Sequence, residues 1–117
     1  RACRRTCACF WQATSPQAID LFVYRIVREL GSLVAALGGL DALVFTAGIG
    51  EHDPDIRARV LAGLEWFGVR LDAERNRACR GQRAAAIHAP SSRVAILVIP
   101  TNEELEIARE VLGLLEP

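Results

Sequence analysis

Lysine is missing from this chain, and all fourteen of its basic residues are arginine. That absence excludes a P-loop lysine and a Schiff-base lysine within these residues, because both chemistries need the amine itself. An excess of charge of either sign is missing too. Fourteen acidic residues balance the arginines, so the total charge gives no nucleic-acid footprint. No stretch approaches the roughly eighteen uninterrupted apolar residues of a membrane span, and no apolar run of the secretory kind stands near Arg1. The expectation is a cytoplasmic protein with neither membrane nor nucleic acid among its partners. Recognised zinc spacing is also lacking. Cys3, Cys7 and Cys9 follow a Cys-x3-Cys-x-Cys pattern with no histidine near, and Cys79 stands alone, so free thiols are expected.

What is present is one domain's worth of chain. At 117 residues, half of them hydrophobic, it can bury somewhat more than ~60% of its unfolded surface. Residues 1–15, which carry Arg-Cys-Arg-Arg and Cys-Ala-Cys and do not begin with Met, follow neither a helical nor a strand period and read as an atypical opening segment.

Beyond it the texture changes. Ser15-Pro16 is a hydroxyl cap followed by a proline whose missing donor is not needed. Ile19, Phe22, Ile26, Leu30, Leu33 and Leu37 then recur at helical spacing until Gly38-Gly39. Val23, Val27 and Val34 widen the stripe, which predicts a helix covered on more than one side. Leu40 to Thr46 is apolar without alternation, as in a central strand buried on both faces. Asp53-Pro54 opens a second helix carried by Ile56, Val60, Leu64 and Phe67 to Gly68. Val69 to Leu71 is a short strand candidate, and 72–83 a helical turn plus loop. Ala84 to Ala89 and Arg93 to Ile99 read as strands around Pro90-Ser91-Ser92. A last helix from Asn102 would bury Leu105, Ala108, Val111, Leu112 and Leu115. This order calls for an α/β layer structure.

Two strand-to-helix junctions carry chemistry. Gly48-Ile49-Gly50 after a buried strand suits a glycine turn that brings backbone amides to a ligand. A tight turn needing residues without Cβ explains it as well. Asp72, about twenty residues on, keeps open half of a dinucleotide-binding domain built on Gly48, Gly50 and Asp72, although the third glycine of that fingerprint is replaced by Asp53. The second junction is Thr101-Asn102-Glu103-Glu104. Thr-x-x-Glu is a capping box, which explains Glu104 and leaves Glu103 free beyond a strand's carboxyl end, where a carboxylate suits magnesium. His88 reads as structural, while His52 adjoins the glycine turn. Arg70, Arg75, Arg77, Arg80 and Arg83 form either a phosphate patch or a solvated loop.

Together the junctions lead to a family. The chain from about Pro16 resembles the carboxyl-terminal part of acetate kinase and its short-chain carboxylate kinase relatives. The residues that carry the resemblance are Ala18 to Ile26, Leu40 to Glu51 with its Phe45-Thr46-Ala47-Gly48-Ile49-Gly50-Glu51, Gly68 to Asp72, Arg75-Asn76, and Ile99-Pro100-Thr101-Asn102-Glu103-Glu104-Leu105. The resemblance implies that 16–117 is part of the second domain of an actin, sugar kinase and Hsp70 type ATPase fold, with helices packed on a small mixed sheet. It implies that Gly48, Ile49, Gly50, Glu51 and His52 contact the adenosine of ATP or ADP, and that Glu103 is associated with Mg2+. It also implies acetate or a similar short carboxylate as acceptor in the intact enzyme, and a homodimer. His52 stands where the family commonly has asparagine; a neutral imidazole can still hydrogen-bond or stack on the nucleoside. The family's acetate pocket, transition-state arginines, catalytic aspartate and phosphate-binding loops lie mainly upstream. No catalytic residue is therefore assigned, and the isolated chain reads as a carboxyl-terminal fragment without turnover. A non-catalytic dimerisation module is the third reading, resting on the Ile19 to Leu37 stripe.

Overall fold

The computed structural model describes residues 15–115. The expectations for the opening segment and its three cysteines lie outside them, as does the side chain of Leu115. Helix α1 spans Pro16–Leu37. Its start is capped by the Ser15 hydroxyl, which accepts from the Ala18 amide at 3.3 Å, and its end turns through Gly38 at φ 73°. The Gly39 amide closes onto the Val34 carbonyl at 3.1 Å, the hydrogen bond that a left-handed glycine stop permits.

Three strands form a mixed sheet: β1 (Ala42–Phe45), β2 (Ala85–Ala86) and β3 (Ala95–Val98), in the order β1-β3-β2. β1 runs parallel to β3, with Leu43 opposite Ile96, and β2 is antiparallel to β3. The small mixed sheet with helices packed on it is the expected fold class. β1, however, is an edge strand among the described residues, not a central one. Leu43 is buried while Val44 is 46% exposed, because the described chain covers one face of the sheet only.

That face holds the core. Leu43, Ile96 and Val98 of the sheet meet Ile56, Val60, Leu61 and Leu64, and Ile19, Phe22, Val23, Ile26, Val27 and Leu30 of α1 pack half-buried against them. Leu33 and Leu37 stay exposed and no residue of α1 is fully buried, so the stripe is covered on one side rather than several. Helix α2 (Ala47–His52) follows β1, and α3 (Pro54–Ala62) begins where the Asp53 carboxylate accepts from the Asp55 and Ile56 amides. α3 ends before Phe67. Gly63 lies against Val27, where a Cβ would come within 2.8 Å, and the chain continues as a 3-10 turn, Glu65–Phe67, to Gly68 at φ 95°.

Val69 to Leu71 contributes a single antiparallel bridge, Leu71 to His88. His88 is structural as read: its Nδ1 accepts from the Ile96 amide at 3.1 Å. Helix α4 (Ala73–Ala78) is capped by Asp72, whose carboxylate accepts from the Glu74 and Arg75 amides. Helix α5 (Glu103–Leu115) has the expected extent, but its apolar residues are not buried. Leu105, Val111 and Leu112 are 45%, 49% and 61% exposed. The pattern is amphipathic, yet nothing among the described residues packs over it.

Candidate functional site: the cleft between α2 and the start of α5

The Gly-x-Gly segment is not a glycine turn. Gly48 and Gly50 lie inside α2, and the left-handed residue at the strand-to-helix junction is Ala47, at φ 58°. A non-glycine residue there stores about 1–2 kcal/mol of strain. Nor does Gly50 answer a steric demand, since a Cβ would sit 3.5 Å from Phe45, an ordinary contact.

Glu51 holds the junction together. Its side chain is buried, and Oε1 accepts from the Ala47 amide at 2.6 Å, the Thr101 amide at 2.8 Å and the Thr101 hydroxyl at 3.0 Å. One carboxylate oxygen thus ties the end of β1 to the turn after β3. Burial pushes this carboxyl up, but the Thr101 amide and hydroxyl and the Ala47 amide outweigh burial and hold it below the ordinary glutamate range. The capping box is overturned by the same contacts. The Thr101 amide goes to Glu51, and Asn102 caps α5 by accepting from the Leu105 amide at 3.1 Å. Glu103 and Glu104 are both exposed in the first turn of α5, so Glu103 is free as expected, though for a different reason.

His52 is half exposed, and its Nδ1 lies 3.0 Å from the Arg80 carbonyl. Gly81, at φ +70°, packs behind it, where a Cβ would come within 2.8 Å of Glu51 Cβ and 2.9 Å of His52 Nδ1. Ala47, Gly48, Glu51 and His52 face residues 101–104 across a cleft of about 320 Å³. Of the residues singled out in the sequence, Gly48, Glu51, His52 and Glu103 therefore share one cleft. Ile49 does not line it and packs half-buried against the core, and Gly50 lies on the Phe45 backbone. Asp72 is absent from the cleft and occupied at the head of α4, which leaves the dinucleotide reading without its ribose carboxylate. Among the described residues no group of three or more His, Cys, Asp or Glu converges to hold a metal ion.

Arg57, unremarked in the sequence, is fully buried. Nε donates to Asn76 Oδ1 at 2.8 Å, Nη1 to the Gly50 and Glu51 carbonyls at 2.9 and 2.8 Å, and Nη2 to the Asn76 and Cys79 carbonyls at 3.0 and 3.1 Å. All five donors of the guanidinium are used, and they satisfy carbonyls at the C-terminal ends of α2 and α4, where a positive charge is favoured. Burial lowers its pKa. A signal existed: Arg57, Leu61 and Leu64 fall on one helical stripe, and a cation on an apolar stripe marks a buried hub. The other arginines divide between two places. Arg70 binds the Glu65 and Val69 carbonyls and Arg75 pairs with Asp72 at 3.5 Å, while Arg75, Arg80 and Arg83 border a separate open cleft of about 460 Å³.

The model of the Acetokinase family matches residues 3–109. The acetate kinase of Rhodopseudomonas palustris is 60% identical over 95 residues, which is 81% of this chain and 23% of that protein. The crystal structure of Porphyromonas gingivalis acetate kinase superposes with a TM-score of 0.71 at 36% identity, over 86% of this chain and 25% of that one. That of acetate kinase from Entamoeba histolytica gives 0.75 at 31% identity, over 80% and 24%. The chain thus spans about a quarter of the length of the relatives it matches.

Proposed function

Because the chain belongs to the acetokinase family, we propose that it builds the adenosine side of the nucleotide site in an enzyme catalysing ATP + acetate ⇌ ADP + acetyl phosphate. The observation that carries the reading is the cleft itself, which has Gly48, Glu51 and His52 on one wall and Glu103 on the other. Gly48 and His52 present groups to the nucleoside, while Ile49 acts from behind by seating α2 on the core and Gly50 lies on the Phe45 backbone. Glu51 differs from the expected contact in that its Oε1 is committed to Ala47 and Thr101.

Mg2+ fits the donor set in one way only. Glu103 and its exposed neighbour Glu104 do not make a preformed cage, but Mg2+ keeps several waters and is commonly held by one or two carboxylates plus substrate phosphates. Glu103, directly or through water, would hold such an ion and so neutralise phosphate charge during transfer. Stabilising the moving phosphoryl group and positioning the acceptor oxygen need further cations and dipoles that lie outside the residues assigned here. The chain by itself is therefore proposed to bind ATP or ADP weakly and to turn nothing over, with acetate or a similar short carboxylate as acceptor and the cytoplasm as location. Two-dimensional NMR titration of the chain with ATP and with NAD, each with and without Mg2+, tests the reading. Shifts confined to residues 47–52 and 101–104 and a Mg2+ enhancement lost in Glu103→Ala are expected; preference for NAD refutes it.

Self-association is favoured by a separate observation. Leu33 and Leu37 of α1 and Ile107, Leu112 and Leu114 of α5 are all exposed. A homodimer burying part of this surface is proposed, and a monomeric sedimentation profile at high protein concentration refutes it.

A further inference from the structure

Three arginines that the nucleotide reading leaves without a role stand around one opening. Arg75, Arg80 and Arg83 border the cleft of about 460 Å³ beside α4 and β2, whose remaining lining is Cys79, Gln82 and three alanines. No aspartate or glutamate of the described residues lines it. Arg75 has a counter-charge in Asp72, whose Oδ2 lies 3.5 Å from its Nε, while Asp72 Oδ1 is spent on capping α4. Among the described residues the guanidiniums of Arg80 and Arg83 make no hydrogen bond and no ion pair.

Exposed arginines are commonly just solvated, but two further observations set these apart. A fourth cation lies beneath the floor of the cleft, since Arg57 Nη2 donates to the Cys79 carbonyl at 3.1 Å. Burial chiefly lowers the Arg57 pKa, and the charge of Arg80 lowers it further. Positive charge is thus crowded here, and an anion in the cleft would relieve it. The C-terminal end of α4 does not oppose one, because Arg57 already occupies the Asn76 and Cys79 carbonyls. The second observation is anchorage. The Arg80 carbonyl lies 3.0 Å from His52 Nδ1, and Gly81 at φ +70° packs against Glu51 and His52. The backbone that presents Arg80 and leads to Arg83 is therefore held before anything binds, which lowers the ordering cost of binding.

We propose that this cleft is a binding site for a small polyanion carrying two or three phosphate or carboxylate groups, separate from the cleft between α2 and α5. Guanidiniums take either group through paired N–H donors, and cations around a concave surface without carboxylates concentrate their field on it. Three forks suit several anionic groups on one molecule. A monoanion such as acetate engages one fork and leaves the others uncompensated.

NMR titration of the 117-residue chain with pyrophosphate, with tricarballylate and with acetate tests the proposal, at a constant ionic strength of about 0.15 M so that general screening does not change. Saturable shifts at residues 75–86 are expected with at least one polyanion and not with acetate; tighter binding of pyrophosphate identifies the phosphate class, and of tricarballylate the carboxylate class. Arg80→Gln and Arg83→Gln are each expected to weaken that binding about three- to tenfold. Arg77→Gln removes the same charge from an exposed residue of α4 outside the cleft and is expected to change it by less than about twofold. Absence of saturable shifts with both polyanions refutes the site, as do shifts confined to residues 47–52 and 101–104. Equal weakening by Arg77→Gln and Arg83→Gln refutes it too, since attraction would then follow net charge alone. The titrations of the parent chain decide the matter whether or not a variant folds.

Discussion

Replacing Arg57 by methionine sets two large effects against each other. The substitution relieves the desolvation of a buried guanidinium that makes no direct ion pair among the described residues, although the Asp53 carboxylate favours its charge from nearby, a gain of several kcal/mol. It also strands five acceptors: the carbonyls of Gly50, Glu51, Asn76 and Cys79, and Asn76 Oδ1. Each buried orphan costs about 1–3 kcal/mol. Swapping a buried ion pair for apolar residues is often neutral because both partners leave together, but here the acceptors are mostly main chain and stay. Taking about 2 kcal/mol per orphan against a relief of about 6, the net loss is about 4 kcal/mol. That is a large share of the stability of a domain whose total is about 5–15 kcal/mol. Arg57→Lys, with one nitrogen unable to reach both helix ends, falls between. Urea denaturation followed by circular dichroism measures the loss, and amide exchange locates it, with protection expected to fall first in α2 and α4. A melt within about 1 kcal/mol of the parent, or uniform loss of protection, refutes the hub.

Glu51 makes stability pH-dependent with a definite sign. Its folded pKa is lowered, so its contribution is full above the ordinary glutamate value of about 4.3 and is lost as pH falls through the lowered folded value. Glu51→Gln is expected to cost about 1–2 kcal/mol at pH 7 and to flatten the acid limb of urea midpoints taken from pH 7 to 3. At the junction, Ala47→Gly relieves a left-handed alanine and Gly50→Ala fills a helical position that has room, so thermal melts of both are expected to show a gain of roughly 0.5–1 kcal/mol. A loss of ATP affinity with Gly50→Ala would show instead that the bare backbone is needed. Gly81→Ala, at positive φ and within 2.9 Å of His52 Nδ1, is expected to lose about 2 kcal/mol in the same melts and to shift the His52 ring signals. Leu112→Glu on α5 is expected to change the stability of the dilute, monomeric chain by no more than about 0.5 kcal/mol, where a leucine buried within the chain would lose several times that.

The residues that begin and end helices act through their immediate neighbours, so the sequence by itself determined the start of α1 at Ser15-Pro16, its stop at Gly38-Gly39 and the start of α3 at Asp53-Pro54. It also held the family, because runs such as Thr46-Ala47-Gly48-Ile49-Gly50-Glu51 and Thr101-Asn102-Glu103-Glu104 are specific as strings. It did not hold who bonds to whom across fifty residues. The capping box assigned the Thr101 amide to Glu104, but β1 and β3 lie side by side, so the turn after β3 reaches Glu51, whose carboxylate outcompetes a solvated one three residues along the same helix. The burial of Arg57 was decided in the same way, by two helix ends brought to it from positions 50–51 and 76–79. Apolar periodicity states which face of a helix prefers burial; only the assembled chain decides whether anything arrives to bury it, and over α5 and the outer face of β1 nothing among the described residues does.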